Sequence, residues 1–173
     1  MWSLKKKARD YYASIASGYD ELYGEEQLSK LKRALGRIDL QKSDIVLEVG
    51  CGTGLLVNFM QEKVDRIVGV DLSRPMVEKG RQRFYGEFLV CDAESLPFRE
   101  HTFDKVLSFT VIQNLESPSK MLEEVGRVCR GIAAITVLRK GWSMNKFKDL
   151  VGNYLKLRES FEFGNDFFCI CSA

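Results

Sequence analysis

The stretch Ile45-Val46-Leu47-Glu48-Val49-Gly50-Cys51-Gly52-Thr53-Gly54 decides the fold of this chain. Its first half is a short apolar run, which is typical of a buried strand, and its second half carries glycine at every second position. Glycine lets backbone N–H groups approach a ligand with no side chain in the way. The dinucleotide fingerprint G-x-G-x-x-G does not fit, because the third glycine arrives one residue early and Leu55 follows it. A glycine-rich turn with a purely structural role is the alternative.

Two further apolar runs end in a carboxylate. The first, Arg66–Asp71, places Asp71 17 residues beyond Gly54, where nucleotide-binding βαβ units accept hydrogen bonds from ribose hydroxyls. The second, Phe88–Asp92, is followed by the run Ala93–Phe98. Each acid taken singly is equally compatible with a helix N-cap or a solvated loop end. Three such strand ends in succession predict one shared binding site.

Together these motifs resemble those of the class I (Rossmann-like) S-adenosylmethionine-dependent methyltransferases. The run Ala93–Phe98 is similar to a sequence common in the branch that includes the ubiquinone and menaquinone methyltransferases. The resemblance covers roughly the whole chain and is strongest from Val46 to Phe109. It implies an α/β fold: a three-layer sandwich around a seven-stranded, mostly parallel sheet whose last strand is antiparallel. Members often carry Lys-Pro-Gly-Gly before the fifth strand, whereas here Arg130-Gly131 leads directly into Ile132, so we expect a tighter turn there.

The alternation of strand and helix from Ile45 onward independently favours a parallel sheet covered on both faces. We predict a single domain over residues 1–173, with a helical lid over 1–40 and the core over 41–173. The elements predicted outside the motif region are helices over Lys5–Ala16, Glu25–Gly36 and Ser143–Leu157, a fifth strand over Ile132–Leu138 and a closing hairpin over Ser160–Cys171.

The resemblance implies S-adenosyl-L-methionine as the cofactor. It places the glycine loop against the methionine part, Asp71 at the ribose, and Asp92 with the Ala93 amide at the adenine. Glu48 would orient the loop and the methionine ammonium. Met76 would cover one adenine face, although an ordinary core methionine is the alternative. The predicted cofactor-binding residues are Tyr19, Glu48, Gly50, Cys51, Gly52, Gly54, Asp71, Leu72, Met76, Asp92, Ala93, Glu94 and Phe109.

The acceptor end carries fewer signals. Gln113 and Asn114 follow the fourth strand and are candidates for positioning an acceptor, with a simple loop as the alternative. Tyr19 is the candidate lid residue over the site, against hydrophobic packing. The absence of Asn-Pro-Pro-Tyr argues against methylation of an amide or exocyclic amine through that motif. No general base is identified, so these three residues are the only catalytic candidates.

Composition narrows the class of protein. The longest apolar run, Gly131–Leu138, is too short to span a bilayer, and the N-terminus does not resemble a secretory signal. Five cysteines without a C-x-x-C pair predict reduced thiols in a cytoplasmic protein, with no disulfide and no metal site. His101 is the single histidine and lies in a polar turn, where we expect it to be solvated.

Charge is unevenly distributed although the net charge is only +2. The segment 127–158 carries eight basic residues against one acid, Asp149, whereas Asp20–Glu26 is acidic. The basic segment is either a solvated face or a surface for RNA or an acidic protein. The short interval Arg139–Arg158 predicts a shallow, open pocket, which suits a large acceptor or a site completed by a partner.

Three functions remain open on the sequence. The first is methyl transfer to an unidentified small-molecule or macromolecular acceptor. The second is a tRNA, rRNA or protein methyltransferase that works with a small activator subunit. The third is a non-catalytic S-adenosylmethionine-binding regulator.

Overall fold

One seven-stranded sheet forms the middle of the computed structural model, which describes residues 3–173. Its strands are β1 (Ile45–Val49), β2 (Arg66–Asp71), β3 (Glu87–Val90), β4 (Phe103–Ser108), β5 (Cys129–Leu138), β6 (Lys156–Phe163) and β7 (Asp166–Ser172). They lie in the order β3-β2-β1-β4-β5-β7-β6. Strands β1 to β5 pair in parallel, and β7 runs antiparallel between β5 and β6. The predicted fold class is confirmed.

Helices cover both faces of the sheet. They are α1 (Leu4–Ile15), α2 (Tyr19–Leu35), α3 (Leu55–Met60), α4 (Arg74–Arg83), α5 (Pro118–Val128) and α6 (Met144–Gly152). Apolar side chains of α2, α3 and α4 join one core cluster, and those of α5 and α6 join the cluster on the opposite face. The sheet and the two sets of helices packed on its opposite faces form the three layers. No helix in residues 3–173 has both the length and the apolar character to cross a membrane.

The direct connection from α5 to β5 confirms the tighter turn. Helix α5 ends at Val128 and the strand begins at Cys129, three residues before the predicted start. Gly131 lies so close to β4 that an added Cβ would overlap the carbonyl oxygen of Asp104. A glycine is therefore required where the two backbones approach.

The last helix is shorter than predicted. It ends at Gly152 instead of Leu157, because Asn153 and Tyr154 form a turn and Lys156 already pairs with β7. The closing hairpin is confirmed, with Gly164 in the left-handed region at φ 57°.

The two N-terminal helices differ in burial. No side chain of α1 is fully buried. Helix α2 begins at Tyr19, six residues before its predicted start, and Leu31 and Ala34 on it are fully buried in the core. The second half of α2 is thus an integral part of one helical layer.

Candidate functional site

A cavity of about 270 Å³ lies at the carboxyl ends of the parallel strands. Its position is the topological switch point between β1 and β4, where open α/β sheets bind ligands. Residues after β1, β2, β3 and β4 form its floor, and side chains of α1 and α2 cover it. Ten of the predicted site residues line this one cavity: Tyr19, Gly50, Gly52, Asp71, Leu72, Met76, Asp92, Ala93, Phe109 and Asn114.

The glycine loop presents bare backbone to the cavity. Gly50 and Gly52 both have left-handed φ values, +77° and +53°. At Gly50 an added Cβ would overlap Cγ2 of Val111, so the loop packs tightly there. At Gly52 the nearest atom to an added Cβ is Cε1 of Tyr19 at 3.7 Å. A ligand could therefore reach the Gly52 backbone between the loop and the Tyr19 ring.

Asp71 fixes the shape of this loop. Its Oδ2 accepts a hydrogen bond from the Gly52 N–H at 2.9 Å, and its Oδ1 accepts one from the Ser73 N–H at 2.8 Å. Burial raises the pKa of the Asp71 carboxyl, and these backbone hydrogen bonds partly oppose the rise. Each carboxylate oxygen has a second lone pair, so Asp71 can also accept from the hydroxyls of a ribose.

Glu48 lies beneath the loop with an unpartnered acceptor. The residue is buried, and within the described chain its Oε2 has no hydrogen-bond partner. Desolvation, then the nearby Asp71 carboxylate, raises the pKa of Glu48 well above its usual value, against a backbone hydrogen bond from Val57. Glu48 borders a small void of about 20 Å³ beside the glycine loop and not the main cavity. A buried acceptor without a donor fits a cationic or hydrogen-bonding ligand group nearby.

A lysine of α1 occupies the carboxylates at the β3 end. Nζ of Lys5 lies 2.7 Å from Oδ2 of Asp92 and 2.9 Å from Oε2 of Glu94. Asp92 also accepts from the Glu94 N–H at 3.0 Å, which fixes the turn after β3. Glu94 itself does not line the main cavity, and its other oxygen accepts from the Ser117 N–H at 3.1 Å.

The remaining predicted residues lie around the cavity without lining it. Cys51 is buried against Gly69, where an added Cβ would come within 2.9 Å of its Sγ. Gly54 packs against the Phe88 ring. Gln113 does not line the cavity, and its Nε2 donates a hydrogen bond to the Thr110 carbonyl at 2.6 Å. Tyr19, one of the ten residues that line the cavity, also covers the glycine loop, and burial raises the pKa of its hydroxyl.

A buried charged cluster at the other end of the cavity was missed from the sequence. Nζ of Lys30 lies 2.7 Å from Glu26 Oε1, 2.9 Å from Thr110 Oγ1 and 3.0 Å from Asp166 Oδ2. Asp166 Oδ2 also accepts from the hydroxyls of Thr110 and Thr136, at 3.0 and 2.8 Å. Thr110 has φ +63°, which is an outlier for a β-branched residue. Residues with such strained backbone conformations cluster at functional sites.

Sequence signals for this cluster were weak. Glu26 and Lys30 are spaced i, i+4 on α2, and Lys30 precedes a core leucine, yet such pairs usually lie on a solvated face. Tyr12 is a second omission: it lines the cavity, and its ring lies 6.1 Å from that of Tyr19.

The basic segment 127–158 is separate from the cavity. Three of its arginines pair with carboxylates, Arg127 with Glu124, Arg130 with Asp104 and Arg139 with Glu162. None of the eight basic side chains in this fully described segment lines the cavity, whereas Leu138 does.

The methyltransferase-domain family matches residues 47–135, which include the glycine loop and the carboxyl ends of β1 to β4. The chain belongs to this family. An uncharacterised protein of Methanocaldococcus jannaschii is 30% identical over 154 residues, covering 88% of this chain and 58% of that protein. A ubiquinone/menaquinone biosynthesis C-methyltransferase of Desulfotalea psychrophila is 37% identical over 90 residues, covering 49% of this chain and 37% of that enzyme. The chain therefore spans between about a third and three fifths of these two relatives.

Solved structures share the fold over nearly the whole chain. A Haloferax volcanii protein, solved in complex with the Trm112 methyltransferase activator, superposes with a TM-score of 0.87 at 19% identity. The match covers 95% of this chain and 96% of that one.

Proposed function

We propose that this chain binds S-adenosyl-L-methionine in the main cavity and transfers its methyl group to an acceptor by direct in-line displacement. The observation that carries the proposal is the convergence of Gly52, Asp71 and Asp92 on one cavity at three consecutive strand ends. Family membership supports the same activity.

The residues fit the cofactor part by part. The Gly52 backbone has room for the methionine chain, and Asp71 has free lone pairs for the ribose hydroxyls. The unpartnered Oε2 of Glu48 suits the methionine ammonium, reached directly or through water. Met76, 1% exposed and lining the cavity, fits beside the adenine.

The cofactor supplies a methyl group on a cationic sulfonium whose charge disappears as the methyl leaves. No strong new charge then needs stabilising, so the chain acts mainly by holding two reactants close and aligned. A proton acceptor is needed only where the acceptor group attacks after losing a proton.

Calorimetry tests the binding step. S-adenosylmethionine should bind and NAD should not. Asp71→Ala should weaken cofactor binding by about 1–3 kcal/mol, because charge-assisted hydrogen bonds are lost. Asp65→Ala, which changes an exposed acid just before β2, should leave cofactor binding unchanged. NAD binding, or equal affinity in the two variants, would contradict the ribose assignment. Turnover of methyl-labelled cofactor separates an enzyme from a non-catalytic regulator.

We propose as a second candidate that a small activator subunit covers the free edge of β3, with tRNA, rRNA or a protein as the acceptor. The favouring observation is the exposure of Val90 (38%) on β3 and of Tyr85 (92%) just before it. Within residues 3–173, β3 is paired on one side only. Unpaired apolar edges are sites of strand addition. Val90→Lys should abolish co-purification with the activator if this is correct, and Val90→Thr should retain it.

RNA contact through segment 127–158 belongs to this candidate. Its test is a filter-binding titration, in which affinity without salt dependence would count against it. All five cysteines are free thiols, which supports the proposal that the protein works in the reducing cytoplasm.

A further inference from the structure

Half of the cavity has no part in the cofactor assignment. The assigned residues Gly52, Asp71 and Asp92 lie at the ends of β1, β2 and β3. The residues Thr110, Leu138 and Asn165 lie at the ends of β4, β5 and β6. Glu26 and Lys30 of α2 line the same half. Donor and acceptor must share one cavity for direct transfer. On the proposed function, the acceptor therefore binds in the half over β4 and β5.

Lys30 has no hydrogen left for an anionic ligand. An ammonium has three N–H donors, and Glu26, Thr110 and Asp166 lie within 3.0 Å of Nζ. With its side chain 2% exposed, Lys30 is held in place by these contacts. It positions Glu26 and Thr110 at the cavity wall.

The groups that remain free are hydrogen-bond acceptors. The Thr110 hydroxyl donates its hydrogen to Asp166 Oδ2 at 3.0 Å and accepts from Lys30 Nζ at 2.9 Å, which leaves one oxygen lone pair for a ligand. Glu26 meets Lys30 through Oε1 only, and its side chain is 43% exposed, so this carboxylate reaches solvent. Asp166 is fully buried and does not line the cavity; it holds Lys30 and Thr110 from behind. The acceptors at the cavity wall are therefore the Glu26 carboxylate and the Thr110 hydroxyl oxygen, and they fit a ligand that donates hydrogen bonds.

Charge and aromatic rings narrow the donor to a basic nitrogen. Glu26 and Asp166 both meet the single ammonium of Lys30, so this cluster carries one more formal negative charge than positive. The rings of Tyr12, Tyr19 and Tyr23 line the same cavity, with centroid separations of 6.1 and 5.2 Å between neighbours. Aromatic faces attract cations, and more strongly where water is excluded.

We propose that this half of the cavity binds an amine and that the amine nitrogen is the atom methylated. The N–H groups donate to the Glu26 carboxylate and the Thr110 hydroxyl. A protonated amine first gives one proton to Glu26, which passes it to water at the cavity mouth. The nitrogen lone pair then forms the new N–C bond, the C–S bond breaks, and its electron pair stays on sulfur.

The chemistry of the labelled product tests this inference. The full chain is incubated with methyl-labelled S-adenosylmethionine and an extract of its own cells. The product label should survive mild base and appear as an N-methylamine after acid hydrolysis. Three results would each overturn the inference. The label could be on oxygen, either as a methyl ester that base releases as methanol or as a stable ether; it could be on carbon; or no labelled product could form.

A pair of neighbouring variants locates the subsite. Glu26→Gln should lower kcat by about a hundred-fold, the scale of a lost general base, while its calorimetric affinity for S-adenosylmethionine stays unchanged. Glu25→Gln, one residue earlier and exposed, should behave as the unaltered chain. Unchanged turnover in Glu26→Gln would overturn the acceptor site and leave the proposed function intact. Failure of the unaltered chain to bind the cofactor would instead refute the proposed function.

Discussion

Replacing Lys30 with methionine probes the buried cluster that joins α2 to the sheet. Methionine keeps most of the length of the unbranched side chain but removes the ammonium that meets Asp166 at 3.0 Å. Asp166 is fully buried and would retain only the Thr110 and Thr136 hydroxyls as donors. Removing one partner of a buried ion pair costs about 3–5 kcal/mol. That is a large fraction of the 5–15 kcal/mol by which domains are typically stable.

Urea denaturation at pH 7 measures this effect. Lys30→Met should lose about 3–5 kcal/mol of unfolding free energy, and Lys32→Met, exposed two residues later, should stay within about 0.5 kcal/mol of the unaltered chain. The double variant Lys30→Met/Asp166→Asn should be more stable than Lys30→Met, because it no longer buries an unpaired charge. The reasoning is refuted if Lys30→Met costs less than about 1 kcal/mol.

Three further predictions follow from other sites. Glu48→Gln should raise the stability of the free protein at neutral pH and weaken cofactor binding. Folding raises the pKa of Glu48, so ionising this carboxyl destabilises the fold once the pH exceeds its pKa in the unfolded chain. A melting temperature equal to or below that of the unaltered chain would contradict this. Asp104→Asn should reduce stability at pH 7 but much less at pH 2. Hydrogen bonding from Arg130 lowers the pKa of Asp104, so its stabilising effect is lost as the pH falls below about 4 and through the pKa of the folded state. A difference in thermal unfolding that does not change with pH would refute this. Gly50→Ala should lower the unfolding free energy measured by urea denaturation by about 1–3 kcal/mol, because Gly50 has a positive φ and an added Cβ would overlap Val111. Gly152→Ala, where an added Cβ meets open space, should be neutral or stabilising. Equal effects of the two changes would count against a tightly packed loop.

The sequence determined the central strands because their signals are local. Strands β1 and β2 lie where the apolar runs placed them: β1 ends at Val49, just before Gly50, and β2 ends at the predicted Asp71. The end of α6 was misplaced because Leu155 and Leu157 continue the apolar periodicity while belonging to the following turn and strand. Periodicity does not distinguish a helix end from a strand start when both bury apolar side chains.

The buried cluster around Lys30 was not predictable in the same way. Lys30 and Asp166 are 136 positions apart in the sequence, and only the sheet order that places β7 beside β5 brings them together. The strained backbone of Thr110 likewise depends on its bonds to Thr136 and Asp166. Glu48, Asp71 and Asp92 could be singled out because each lies within two residues of the end of its own strand in the sequence.

A crystal structure of the chain with S-adenosyl-L-homocysteine tests the central claim most directly. We expect the ribose at Asp71, the amino-acid chain along Gly50–Gly52 and the adenine beside Asp92, all within the one cavity. Ligand density elsewhere, or a ribose out of reach of the Asp71 carboxylate, would contradict it.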